Sequence, residues 1–473
     1  MDMSRQNNQS SNIVPSIPTI AIFLAIIVGG AVVLSTFAPI LLPPQASVQA
    51  QRTDGLFTVL LLLGGVVFFL VQGLLVYSII RFRVRPNDVS DGPNIHGNTT
   101  LEIVWTIIPA IVVVVLSILS FVVWQANSTP QDNVNLVEGK PMKINVVGAR
   151  YAWSFEYITP QERPLAEGET LTEGQEAPRV SFASNQLHTY VGQHVKLDMN
   201  TRDVIHSFWI PAMRLKQDVM PGRTTELRFD PIATNSGFEY RLDEEGREVR
   251  LTPEQARLSK EEAAAQGLTN RYTKYRIVCS ELCGSGHGQM YAYIYVHEDE
   301  EAFLANFYNP QVFAALNPPD DPVLKGEAIL RSGAYPCANC HILNSLGWVG
   351  VTGPSLNGIG ERAGRRVGGL NGIEYLAQSI HLPNEYLVPG YAAGQMPYFG
   401  YSAQAPAGHS PYNVMPESDL IGIIGYLCAQ VESGNLNDNT CGLVFDDDGM
   451  LADSEATIAQ IEAVTATYRS LYE

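Results

Sequence analysis

The sequence predicts a multidomain membrane protein: a transmembrane helical hairpin, then an all-β domain, then an all-α domain. Three observations predict it. Long uncharged apolar runs crowd the first 125 residues. Short β-rich runs separated by turns recur over residues 141–298. Past Asn317-Pro318-Pro319-Asp320-Asp321, a stretch that suits an exposed domain boundary, the texture turns helical with long loops.

The 473 residues are 46% hydrophobic yet carry a net charge of −18, as expected of membrane segments joined to acidic water-soluble domains. No basic surface exists for nucleic acid, and that class of partner is excluded.

Residues 20–38, 56–80 and 103–124 are free of charged side chains over 19, 25 and 22 positions. A helix needs about 20 such residues to cross a bilayer. The second and third runs therefore form a membrane-embedded hairpin within residues 51–125. Arg81, Arg83 and Arg85 follow the second run, so the intervening loop is cytoplasmic. The third run returns the chain outward, which places everything after Gln125 on the outer face of a bacterial plasma membrane. The first run reads in two ways. Residues 1–50 are either a signal peptide cut after Val48-Gln49-Ala50 or a retained first span.

In the outer part, residues 126–310 read as the β domain, with strands expected at 143–147, 151–157, 194–199, 225–229, 272–278 and 290–296. Two insertions interrupt it: an acidic loop at 159–179 and an exposed helical stretch at 251–267. Residues 311–321 read as a linker and 322–473 as the C-terminal domain. That domain has a helix expected at 419–431, preceded by Pro416, Glu417 and Ser418. It ends in an acidic tail and a helix at 454–472.

The six cysteines fall into three close pairs. Cys279/Cys283 and Cys337/Cys340 sit beside histidines, which suggests metal or haem, whereas Cys428/Cys441 suggests a disulfide, with two separate buried thiols as the alternative. The stretch Cys279-Ser280-Glu281-Leu282-Cys283-Gly284-Ser285-Gly286-His287-Gly288-Gln289-Met290 offers two thiols, an imidazole and a thioether on one loop between two expected strands. Such soft ligands with imidazole favour copper. A further imidazole is needed, and His206, in an expected turn after a strand, is the best candidate. A Cys2His2 zinc site would leave Met290 unexplained. A mononuclear blue copper needs one Cys, not two. A Cys279–Cys283 disulfide would strand His287 and Met290.

Cys337-Ala338-Asn339-Cys340-His341 is a C-x-x-C-H haem attachment motif, with both thiols linked to haem c and His341 on the iron. A plain metal or redox Cys pair is the alternative. The sixth ligand is expected to be a downstream methionine, which raises the potential. Met396, before Pro397, is preferred. Met415, before Pro416, is the alternative, with His381 and His409 behind both.

The 279–290 loop resembles the CuA loop of cytochrome c oxidase subunit II. So do the stretch 96–106, from His96 to Thr106, and Asp218-Val219-Met220-Pro221-Gly222-Arg223. With the C-terminal motif, the chain resembles a subunit II fused to a class I cytochrome c domain, as in caa3-type haem-copper oxidases. The resemblance implies a cupredoxin-like Greek-key sandwich. It implies a dinuclear copper centre bridged by Cys279 and Cys283 and capped by His206 and His287, with Met290 and the Glu281 carbonyl as weak ligands. It implies a magnesium ion at the Glu281 side chain, shared with subunit I. Glu102 matches a carboxylate at the mouth of a proton path, or else is an interfacial charge at a helix start. The partners implied are oxidase subunits I and III and an external donor such as a small cytochrome or copper protein. Electrons would pass through haem c and copper to subunit I, where oxygen is reduced to water with proton pumping. A copper-containing nitric oxide reductase subunit and a membrane-tethered copper chaperone are the competing classes.

One position departs from that pattern. Relatives often carry two tryptophans near Tyr151-Ala152-Trp153, the first accepting electrons from a soluble cytochrome; here that position is Tyr151. Charge matters too. From Asp320 onward there are 6 basic and 17 acidic residues, and the remainder is also net acidic. Two like-charged modules dock poorly when free, but a covalent tether raises local concentration to roughly the millimolar range.

Overall fold

Apolar sequence with few helix breakers gives three long helices: α1 (Ile17–Phe37), α2 (Val48–Arg81) and α3 (Thr99–Ser128). All three are long and apolar enough to span a membrane. The computed structural model describes residues 17–83, 97–128, 142–162, 177–232, 237–244, 247–350, 352–400 and 411–469. Arg85, His96 and His409 lie outside these. Helix α1 buries Ile27, Ala31 and Ser35, one residue per turn, and Ala31 lies against Gly65 of α2. At one end of the hairpin Arg52 Nη1 donates to the Ala126 carbonyl at 2.8 Å. Helix α3 buries none of its side chains.

The rest of the described chain, with residues 45–48, forms a second unit. Its first part is a two-layer β structure. One sheet has the order β3-β2-β1-β5-β8, built from β1 (Met142–Ala149), β2 (Ala152–Glu162), β3 (Arg179–Ser184), β5 (Val195–Thr201) and β8 (Thr225–Phe229). The other runs β10-β9-β11-β12-β4, from β4 (Leu187–Tyr190), β9 (Glu239–Leu242), β10 (Glu248–Arg250), β11 (Thr269–Cys279) and β12 (Tyr291–His297). Strand β6 (His206–Ile210) joins β11 on one side and β7 (Leu215–Val219) on the other. Side chains of a strand alternate between faces, and the sequence uses this. Ile144 and Val146 of β1 and Val195, Leu197 and Met199 of β5 point into a core shared with Trp153, Phe155, Phe208 and Ile294. This is the cupredoxin-like arrangement expected from the sequence.

The six expected strands are all present, and β2 runs four residues further than the acidic-loop reading allowed, to Glu162. The insertion at 251–267 folds as a 3-10 turn and the short helix α4 (Lys260–Ala264), started by a Ser259/Glu262 capping box. His206 is not in a turn; it opens β6.

Short helices α5 (Glu300–Phe303) and α6 (Asn309–Leu316) lead to the C-terminal part. There α7 (Pro322–Ser332), α8 (Ile359–Arg362), α9 (Gly372–His381), α10 (Glu417–Cys428) and α11 (Ser454–Arg469) surround one apolar cluster. Helix α7 crosses α10 where Gly326 meets Gly422; a Cβ on Gly326 would stand 1.9 Å from the Gly422 carbonyl, so only glycine lets the backbones touch. This part is not purely helical. Two short strand pairs, β13 (Ile342–Leu343) with β14 (Trp348–Val349) and β15 (Tyr398–Gly400) with β16 (Pro411–Val414), accompany the helices. Cys428 and Cys441 form a disulfide that ties α10 to the tail. Asp321 is not an exposed linker residue. It is buried and caps α7, accepting from the amides of Val323 at 2.8 Å and Leu324 at 3.1 Å.

The segment before α2 belongs to the β domain. The Ala46 amide donates to the Ala212 carbonyl at 2.9 Å, and the Ile232 amide donates to the Ala46 carbonyl at 3.1 Å. Ser47 Oγ donates to the Met213 carbonyl at 3.0 Å, and Ala46 and Ser47 are fully buried. Cutting after Ala50 would remove these bonds, each worth about 1 kcal/mol net. The expected outcome is that the subunit purified from membranes retains residues 45–48. N-terminal sequencing and intact mass check this, and a mature terminus at Gln51 would contradict it.

Candidate metal centre

The donor groups come together from two places in the chain. Strand β11 ends at Cys279, paired with Phe208 of β6, and the Ser280 amide donates to the Ser207 carbonyl at 2.9 Å. That short ladder brings His206 beside the loop. His206 Nδ1 lies 3.8 Å from Cys279 Sγ, and the two sulfurs of Cys279 and Cys283 lie 3.9 Å apart. His287 Nδ1 lies 3.5 Å from Cys283 Sγ, and Met290 Sδ lies 3.8 Å from the same sulfur. The Glu281 carbonyl is 3.2 Å from Cys279 Sγ. Single-atom donors of His206, Cys279 and Cys283 all fall within 4.8 Å of one another. All six sequence-selected donors are thus brought to one spot. Its floor is apolar: Trp153 stands edge-on to Phe208 and His206, with ring centroids 5.1 and 5.9 Å away.

The electrostatics suit a soft metal. The sulfur contact with Cys283 outweighs burial and holds the Cys279 thiol down to about 3, while the same contact and burial push Cys283 up. Cys279 is therefore the readier thiolate of the two, and metal binding displaces the protons that remain. His206 Nε2 faces Asp203 Oδ1 at 2.9 Å. With Nε2–H donating there, Nδ1 keeps its lone pair toward the sulfurs. Burial opposes charge on Asp203. The hydrogen bonds from His206 and from the Arg150 and Val204 amides outweigh it and bring the carboxyl to about 2. The donor set of two thiols, two imidazole nitrogens and a thioether fits copper better than zinc, calcium or magnesium. Gly284, at φ +137°, turns the loop in a conformation open to glycine.

The C-terminal motif lines a deep cleft. Cys337, Cys340, His341, Met396 and Met415 share its wall. His341 Nδ1 donates to the Pro354 carbonyl at 2.7 Å, which fixes the ring and leaves Nε2 as a ligand atom. Burial lowers the His341 pKa, so the ring is neutral and able to ligate, and burial pushes Cys337 up to about 12. Both methionines border the cleft, Met415 being the more buried. His381, its Nδ1 held 2.9 Å from the Phe399 carbonyl, is not among the residues that line the cleft. An apolar cleft with two thiols, one oriented imidazole and a thioether fits a covalently attached haem.

Comparison with known proteins gives the lineage. The family model for the cytochrome c oxidase subunit II transmembrane domain matches residues 35–123, and that for the subunit's periplasmic domain matches residues 142–241. Cytochrome c oxidase subunit 2 of Synechocystis sp. is 31% identical over 301 residues, spanning 55% of this chain and 73% of the relative. This chain belongs to the cytochrome c oxidase subunit II family. The Thermostichus vulcanus subunit 2 is 28% identical, over 55% of this chain and 76% of the relative. The crystal structure of the periplasmic domain of cytochrome oxidase subunit II from Bradyrhizobium japonicum is 22% identical, covering 36% of this chain and 92% of that one, with a TM-score of 0.22. As a cytochrome c oxidase subunit II, the chain is the membrane-anchored, copper-binding, electron-transport component of a haem-copper oxidase complex, with a periplasmic domain. Membership sets aside the nitric oxide reductase and chaperone classes.

Two of the selected carboxylates are exposed. The Glu281 side chain is exposed while its carbonyl faces Cys279. Glu102 is exposed in the first turn of α3, its amide donating to the Asn98 carbonyl at 2.9 Å. Sequence reading missed Asp203. Its position three residues before His206, one turn away, was the available signal. Replacing Asp203 with Asn keeps the shape but weakens the hold on the His206 ring. The expected outcome is a roughly 10- to 100-fold loss of copper affinity, measured by competition with a chelator.

Proposed function

We propose that this subunit passes electrons from an external donor through a haem c held in its own C-terminal domain to a dinuclear CuA centre, and on to subunit I, as in a caa3-like oxidase. The observation that carries the proposal is that both donor sets, each matched to its group, occur in one compact unit. The domain boundaries that go with it are a membrane part up to residue 125, a copper domain over 126–310, a connection at 311–321 and a class I cytochrome c domain over 322–473. Oxygen reduction and proton pumping belong to subunit I, with subunit III as a further partner. The outer face of the plasma membrane holds both soluble domains.

When bound, the two metal groups supply one-electron exchange, and the chain's residues tune it. Cys279, Cys283, His206 and His287, with Met290 and the Glu281 carbonyl beside them, would hold the copper pair. A buried site with fixed ligands moves little on electron transfer, so the hop costs little reorganisation. Cys337 and Cys340 would hold the haem covalently, and His341, oriented by the Pro354 carbonyl, would ligate its iron together with Met396. The Glu281 side chain would help hold a magnesium ion shared with subunit I, and Glu102 would stand at the mouth of a proton path.

Copper-loaded holoenzyme is expected to show an electron paramagnetic resonance signal of one electron shared equally by two coppers. Cys279→Ser should abolish it. A single-copper signal in the native protein would sink the copper reading. Met396→Ala is expected to remove the methionine–iron absorption band. Met415→Ala should keep that band while costing roughly 2–5 kcal/mol as a core truncation; the reverse pattern would exchange their roles.

A further inference from the structure

The copper loop and the rim of the C-terminal cleft meet directly. Thr352 Oγ1 donates to Gln289 Oε1 at 2.6 Å, and Asn339 Nδ2 donates to the Tyr151 carbonyl at 3.4 Å. Three of these four residues adjoin a donor. Asn339 lies between Cys337 and Cys340, Thr352 also hydrogen-bonds the Cys340 thiol, and Gln289 precedes Met290.

Tyr151 fills the space between the two sites. A Cβ on Gly286 would stand 2.5 Å from its ring, so the loop backbone lies flat on that ring. The Tyr151 hydroxyl is 3.3 Å from Ser285 Oγ. Tyr151, Ser285 and Gly286 line the same cleft as Cys337 and His341. One wall of the C-terminal cleft is therefore made by the copper domain itself. The joining groups are uncharged, although both parts of the chain are acidic.

We infer that Thr352 and Gln289 form a latch that seats the cleft against the copper loop, with Tyr151 as the shared wall crossed by the electron. The inference rests on the function proposed above. In the step, one electron leaves the ferrous haem, which becomes ferric, and reduces the oxidised copper pair by one; no bond forms or breaks and no proton is needed. Thr352 and Gln289 are positioning residues, since neither is a ligand. Because Tyr151, Ser285 and Gly286 already face the chain's own cleft, an external donor delivers to the C-terminal domain and not to this side of the copper loop.

The test uses the full subunit in its oxidase complex, as wild type, Thr352→Val, Thr352→Ser and Gln289→Leu. Two readouts are taken: deuterium uptake by the 284–290 loop, and the haem-to-copper transfer rate after flash reduction of the haem. Thr352→Val and Gln289→Leu are each expected to weaken seating about fivefold, the factor that corresponds to one net hydrogen bond. Loop uptake should quicken and transfer should slow, while Thr352→Ser, which keeps the hydroxyl, should behave as wild type. Wild-type uptake and transfer in both Thr352→Val and Gln289→Leu would overturn the latch. Wild-type protein that carries no haem would overturn the proposed function instead, and the loop's deuterium uptake would still decide whether the latch exists.

Discussion

The candidate centre depends on a ladder only a few residues long, the pairing of β6 with the last residues of β11. The loop from Cys279 to Met290 can gather two thiols, one imidazole and a thioether by itself, because they are close in sequence. It cannot supply the second imidazole. His206 is 73 residues away from Cys279 and arrives only because Phe208 pairs with Cys279 and Ser207 accepts from the Ser280 amide. Phe208 is also a core residue packed on Trp153, so the register is fixed by burial as well as by hydrogen bonds. A slip of one residue would turn Phe208 out of the core. The same burial that stabilises the sandwich therefore holds the ligand geometry.

What was legible in the sequence follows from range. The copper loop is a local arrangement of distinctive chemistry, and its donors read clearly because they are close in sequence; the C-x-x-C-H stretch is equally local. Strands such as β1 and β5, with strict alternation of buried positions, read equally well. Strands β6 and β7 did not: β6 buries side chains on both faces and β7 buries only its two ends, so neither shows an alternation of period two. The two-residue strands of the C-terminal part carry no periodicity at all, so an all-helical reading was the natural one. Contacts such as Asn339 to Tyr151, across 188 positions, leave no local trace. Asp321 misled for another reason: acidic residues after two prolines look solvent-exposed, yet a carboxylate that caps a helix can be buried because amides satisfy it.

Charge explains how two acidic parts of one chain can touch. Like charges at a contact are repulsive, and surface ion pairs would add little. Here the bridging side chains are threonine, glutamine and asparagine, so the hydrogen bonds that join the two parts bring no pair of acids together. A modest polar contact suffices because the chain's continuity keeps the partners close.

The buried carboxylate of Asp321 has one more consequence. Besides capping α7, it accepts from the Leu451 amide at 3.4 Å and from Ser454 Oγ at 3.5 Å, across 130 and 133 positions. The first helix of this part is thus tied to a segment that follows it by 130 positions and more in the chain. Chain order delivers α7 before residues 451 and 454, so the Asp321 carboxylate caps the helix while two of its four acceptor bonds are still unmade. Making them is a non-local event of the kind that slows folding, and until it occurs one oxygen of a carboxylate destined for burial has no partner from that segment.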